Sequence, residues 1–163
     1  MQAKRINNWL NATELKSSLK DQNILDWLNE DGSITARISS KAKFKLEVLN
    51  DDIGMAEDEE YAALNITSED VRIREVILYG DLVPLVYARS IIPNLTASKG
   101  YPGLGSIGSK PLGDLHFQSN LFIKTHREFA QFKVDSEDLI WGRRTRYLVK
   151  GYPLSVMEIF LLP

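Results

Sequence analysis

Cysteine is absent from the 163 residues, and histidine occurs twice, as His116 and His126. Disulfides, thiol nucleophiles and cysteine zinc sites are therefore excluded, and a multi-histidine metal site is not expected. A basic excess is also missing: 20 Lys and Arg stand against 22 Asp and Glu, a formal charge of -2. A nucleic-acid partner would need the opposite balance. No uncharged run approaches the roughly 20 residues of a membrane helix. The opening stretch MQAKRINNWLNATELK has the basic start of a signal peptide without its apolar segment. Neither a repeat nor a low-complexity tract is present. What remains, 44% apolar and 26% charged residues, is ordinary for one globular domain able to bury a core without staples. The expectation is a single domain over 1–163, cytoplasmic and monomeric, with no nucleic-acid partner and no membrane insertion.

Period-two patterning is clearest from Leu139 to Pro163, LIWGRRTRYLVKGYPLSVMEIFLLP. It predicts two strands joined at Lys150-Gly151-Tyr152-Pro153. In the second, Leu154, Val156, Glu158 and Phe160 share one face; Ser155, Met157, Ile159 and Leu161 share the other. Both faces look covered, so Glu158 sits in an apolar row with no charged neighbour on its own strand. An unpaired buried carboxylate is costly unless protonated or partnered. A structural ion pair, an open face and a ligand-facing acid all fit this pattern.

Upstream, residues 5 to 30 read as helical, with Ile24, Leu25, Trp27 and Leu28 forming a stripe that stops at Asp31-Gly32. Ser33 can cap a second short helix, Ile34 to Ser39, and two short helices joined tightly make a flap. Lys43 to Leu49 alternates as a strand. The acidic stretch Asp51 to Glu60 reads as a solvated loop. Val71 to Tyr79 and Leu82 to Ile92 form an antiparallel hairpin about Gly80-Asp81. Within it Arg74 is flanked by apolar residues. It is a candidate to complement Glu158, or to grip a ligand carboxylate bidentately, or it is simply an exposed strand arginine.

The connection KGYPGLGSIGSKPLG contains Gly103-x-Gly105-x-x-Gly108, formally a dinucleotide fingerprint, but turn formers precede it where a strand is required. Gly108-Ser109-Lys110 lacks the order of a phosphate-binding loop. Nucleotide binding is therefore not expected. Pro111 suits the first turn of a helix from Lys110 to Phe117, whose early backbone N–H groups, at Leu112 and Gly113, can hold an anion. Thr125-His126-Arg127-Glu128 matches a capping box and predicts a helix with Phe129 and Phe132 inward and His126 on its surface. Asp135 to Asp138 reads as a turn. The order of elements predicts an α+β fold with a largely antiparallel sheet and helical flaps.

Five segments occur in the order and spacing of bacterial chorismate pyruvate-lyase: Arg74-Glu75-Val76-Ile77-Leu78, Ala88-Arg89-Ser90-Ile91-Ile92-Pro93, Lys110-Pro111-Leu112-Gly113, Trp141-Gly142-Arg143-Arg144 and Glu158-Ile159-Phe160-Leu161. Leu25-Asp26-Trp27-Leu28 followed by Ser33-Ile34-Thr35 matches as well, so the chain resembles that family from about Asn23 to Pro163. The resemblance implies a chorismate lyase-like fold. It also implies a cofactor-free enzyme that releases pyruvate from chorismate and leaves 4-hydroxybenzoate, the first committed step towards ubiquinone. Carried over residue by residue, it puts Arg74 and the backbone N–H groups of Ile34 and Leu112 on the ring carboxylate, and Glu158 on the 4-hydroxyl. Family members often have Met at the position of Ile34, a change that a main-chain contact tolerates. Glu158 would act as general acid or base, burial raising its pKa and Arg74 opposing that shift. Arg89, Arg143 and Arg144 would either steer the anion or form structural pairs. A non-catalytic effector-binding module for a small aromatic carboxylate shares this fold. Regulators of that kind carry a DNA-binding winged helix ahead of the module, for which 163 residues leave no room.

Overall fold

Asp81 and Leu82 both take left-handed backbone, at φ 50° and 66°, the geometry whose twist matches that of the strands it joins. They close the hairpin of β3 (Asp70–Gly80) and β4 (Val83–Pro93), and the Asp81 carboxylate accepts the Lys43 N–H at 2.8 Å. Lys150 and Gly151, at φ 51° and 84°, do the same for β6 (Leu139–Val149) and β7 (Tyr152–Phe160). Both expected hairpins are therefore present. The structure, a computed structural model, describes residues 1–102, 104, 121–135 and 138–163. With β1 (Ala3–Arg5), β2 (Phe44–Met55) and β5 (Phe122–Val134), the strands form one antiparallel sheet in the order β1-β5-β6-β7-β4-β3-β2. β7, last of these strands in sequence, is fourth of seven in space. Among the described residues no helix is long and apolar enough to cross a membrane.

Residues 5 to 30 are not one helical run. β1 comes first, then α1 (Ala12–Ser18) and α2 (Gln22–Leu28). Each has its own start signal: Asn11 and Glu14 make a capping box, and Asp21 accepts the N–H groups of Asn23 and Ile24. α3 (Ile34–Ser39) begins as expected, the Ser33 hydroxyl accepting the Ala36 N–H at 3.1 Å. The acidic stretch is not a solvated loop. β2 runs on to Met55, and Asp58–Leu64 forms α4 behind its own capping box of Glu57 and Glu60.

The helix expected from Thr125 is strand β5. Its register with β6 runs from Phe122 opposite Val149 to Lys133 opposite Leu139, and that pairing overrides the local cap signature. A bulge between Lys124 and His126 shifts the side-chain alternation there, so the period-two signal is broken where the helix was read. Phe129 and Phe132 are both buried, on opposite faces of the sheet rather than one side of a helix. His126 does lie at the surface, 3.1 Å from Glu128. The expected helix from Lys110 to Phe117, with Leu112 and Gly113, lies outside the described residues.

One face, called inner here, is covered by the first three helices. Leu15, Leu28, Ile34 and Ile38 pack on Val76, Leu78, Val86, Ala88, Phe129, Trp141 and Phe160. On the outer face Tyr61 and Leu64 of α4 cover Val71, Ile73 and Ile91. Gly142 has a packing reason: a Cβ there would come within 2.8 Å of the Glu158 carbonyl and 2.9 Å of the Phe132 ring.

Candidate active site on the inner face

Directly opposed residues of an antiparallel sheet share a face, so the register aligns side chains into rows across the strands. One row reads Asp51, Arg74, Ser90, Val156, Thr145, Arg127 from β2 to β5. Its neighbour reads Val48, Val76, Ala88, Glu158, Arg143, Phe129. The two residues singled out in the sequence, Arg74 and Glu158, are thus on the same inner face, one row apart, with β4 between their strands.

They are not each other's ion-pair partners. Arg143, opposite Glu158 on the adjacent strand, donates from Nε to Glu158 Oε1 at 2.9 Å, with side-chain exposures of 3% and 13%. Its Nη1 reaches the carbonyl oxygens of Leu28 at 2.9 Å and Glu30 at 2.7 Å. One guanidinium therefore ties the acid on β7 to the end of α2. Arg74, 2% exposed, lies 3.4 Å from Asp51, which Arg72 also contacts at 2.8 Å. Burial lowers the pKa of Arg74, and the Asp51 carboxylate opposes that shift; an arginine stays charged all the same.

Arg127 and Tyr147 complete the inner polar group, and neither stood out in the sequence. Arg127 donates from Nε to the Thr145 hydroxyl at 2.8 Å and from Nη1 to the Glu30 carbonyl at 3.2 Å and to Asp31 at 3.1 Å. Burial, then the positive charge of Arg143, lowers its pKa, while Tyr147, Glu158 and Asp31 act the other way. Burial and then the nearby Glu158 charge raise the Tyr147 pKa. The usable signal was parity: Thr145 and Tyr147 alternate with Arg143 along one strand. Arg127 was hidden by the bulge.

Arg89 and Arg144 belong to the outer face. Arg89 grips Glu60 through two 2.8 Å hydrogen bonds and lies 3.3 Å from Glu75. Arg144 binds Glu128 and, at 2.6 Å, Glu59, and stacks 4.2 Å from the Trp9 ring. Both are structural pairs, and acids of the misread stretch supply Glu59 and Glu60. Arg143 alone of the three faces inward. Ile34 opens α3 and is 6% exposed within the inner cluster, so its N–H falls outside the helix's own ladder. Leu112 lies outside the described residues. The inner face thus offers guanidinium groups that can bind carboxylates and, near its centre, the carboxylate of Glu158, beneath short helices.

Comparison with known proteins bears on what this face is for. The "Probable chorismate pyruvate-lyase 2" of Pseudomonas entomophila is 36% identical over 163 residues, covering 94% of this chain and 87% of its own. The "Probable chorismate pyruvate-lyase" of Pseudomonas putida is 35% identical, covering 94% and 87%; that of Pseudoalteromonas atlantica is 31% identical, covering 94% and 85%. Among solved structures, PhnF from Mycobacterium smegmatis gives a TM-score of 0.61 at 12% identity, covering 81% of this chain and 64% of its own. A GntR-family transcriptional regulator from Enterococcus faecalis gives 0.52 at 13% identity, covering 76% and 93%. Identity that low speaks for the fold alone. The family model for chorismate lyase matches residues 3–163, and with relatives above 30% identity along most of both chains, this chain belongs to the chorismate lyase family.

Proposed function

We propose that this chain converts chorismate to 4-hydroxybenzoate and pyruvate without a cofactor, acting as a single domain and a monomer in the cytoplasm, at the head of ubiquinone synthesis. The observation that carries the proposal is the inner face itself: a carboxylate, Glu158, held by Arg143, with Arg74 buried one row away and helices α1 to α3 above. The reaction removes the C4 hydrogen and breaks the C3–O ether bond, while the released enolpyruvyl fragment takes up a proton as pyruvate. Aromatisation of the ring supplies the driving force, so the protein has mainly to position the substrate and stabilise charge. Arg74 receives the ring carboxylate, aided by the N–H groups of Ile34 and Leu112. Glu158 hydrogen-bonds the 4-hydroxyl and moves the proton. Binding of 4-hydroxybenzoate at the same residues is part of the proposal.

The reading as a non-catalytic effector module is not favoured, because the relatives along most of the chain are lyases by name and the regulators share only the fold. The test is to incubate the purified protein with chorismate, free of added metal, and follow 4-hydroxybenzoate and pyruvate together. Equal release of both above the spontaneous rate is expected. Release at the spontaneous rate only would refute the proposal.

A further inference from the structure

Chorismate carries two carboxylates, and the roles above account for one. We propose that Arg127 receives the second, that of the enolpyruvyl side chain, and so distinguishes substrate from product; this rests on the lyase reading of the preceding section.

Arg74 and Arg127 stand in a single row of the inner face, on β3 and β5. Between them the row holds Ser90, Val156 and Thr145, all short side chains. Four strand spacings separate the two backbones, about 19 Å on a flat sheet at ~4.8 Å each. Arginines at the two ends of a row whose intervening side chains are short suit one ring with an acidic arm. Glu158 projects from β7, the middle strand of this span, two residues along from Val156. It therefore lies beside the centre of the row, where C3 and C4 of a molecule anchored at both ends would sit.

The charge pattern points the same way. Arg143 has Glu158 as a largely buried acid partner, and Arg74 has Asp51, whose side chain is 16% exposed. The acid in contact with Arg127 is Asp31, which is 75% exposed and also held by Lys124 at 2.5 Å, while Glu158, whose charge also reaches Arg127, is bonded to Arg143. Water and salt screen the pair with Asp31. Arg127 itself is 12% exposed. Its remaining partners are neutral: a threonine hydroxyl, a backbone carbonyl and the Tyr147 hydroxyl. A substrate carboxylate entering here would compensate the charge, and a product with a single carboxylate would not reach it.

The test compares substrate and product on the full chain. For wild type, Arg127→Gln, Arg127→Lys and Arg74→Ala, chorismate turnover gives KM, and titration with 4-hydroxybenzoate gives Kd. Arg127→Gln is expected to raise KM for chorismate about tenfold or more and to leave the product Kd within about twofold of wild type. Arg127→Lys, which keeps the charge without the fork, should fall between. Arg74→Ala should raise both. Product binding also reports that a variant is folded, and Arg127→Lys serves if Arg127→Gln is not. If KM and product Kd rise together, Arg127 merely supports the end of α2 and the inference fails; it fails equally if neither moves. A wild-type protein that binds 4-hydroxybenzoate yet leaves chorismate intact would overturn the lyase reading first.

Discussion

Arg143 ties the inner face together, bonded at once to Glu158 and to two carbonyls at the end of α2. Removing it leaves a largely buried carboxylate and the Leu28 carbonyl without this donor, so Arg143→Ala is expected to cost about 3–5 kcal/mol in urea unfolding. Arg74→Ala should mostly weaken binding of substrate and product, whereas Glu158→Ala should mainly lower kcat; a Glu158→Ala enzyme with wild-type turnover would remove that acid from the chemistry. On the outer face Glu60 titrates informatively. Burial pushes its pKa up, but the Arg89 fork and a backbone bond outweigh this, and the net shift is downward from 4.5. A lowered acid stabilises the fold above its ordinary pKa and loses that contribution as pH falls through the folded value. The Tm gap between wild type and Glu60→Gln should therefore hold steady above 4.5 and close below it. At this scale the sequence was readable by parity and no further. Alternation placed Arg74 and Glu158 on buried faces, but which strands are neighbours is a tertiary fact. Hence the pairing of Glu158 with Arg143, directly across the ladder, has no local signal in the sequence, where Arg74 stands out as the partner instead. The acids from Asp51 to Glu60 were misread because clustered charge usually faces water. The clue was on the strands: Arg72, Arg74, Arg89 and Arg144 each needed a counter-ion.

Among the elements, the β3–β4 turn carries a removable strain. Leu82 is 80% exposed and sits at φ 66°, a region a leucine enters at a cost of about 1–2 kcal/mol. Leu82→Gly should raise Tm by roughly 2–4 °C, the gain being reduced by the freedom glycine has when unfolded. Gly142 allows no such freedom. Its α-hydrogen occupies the space between β7 and Phe132, so Gly142→Ala should cost about 1–3 kcal/mol and displace the backbone of Glu158 itself. The end of α2 rests on Arg127 and Arg143, with Asp31 as its outer tie to Arg127 and Lys124. Asp31→Asn should loosen that end and speed 4-hydroxybenzoate dissociation by up to about fivefold, an effect that added salt reproduces in the wild type. The short helix capped at Ser33 was legible, whereas the starts at Asn11 and Asp21 were not, although Asp21 precedes an apolar stripe. The capping-box signature at Thr125 was false, because its arginine and glutamate serve two faces of a strand.

For the molecule as a whole, composition and turn chemistry were enough to read an antiparallel α+β fold, and the two hairpins were legible to within a residue or two. The spatial order of strands was not. Hairpins report only their own two strands, while the β4–β7 and β1–β5 pairings join segments far apart in sequence, for which no local signal exists. The position of β7 then has a consequence for how the protein comes into being. A ribosome delivers β7 after β1 to β6, so until then the side of β4 away from β3, lined with Val86, Ala88 and Ile91, lacks its second hydrogen-bonding partner. Refolding from urea should accordingly be slow, on a timescale of milliseconds to seconds, and should lose yield to aggregation as concentration rises. The residue expected to do the chemistry arrives on the same late strand, so docking of β7 completes the barrier to self-association and the catalytic apparatus in one event.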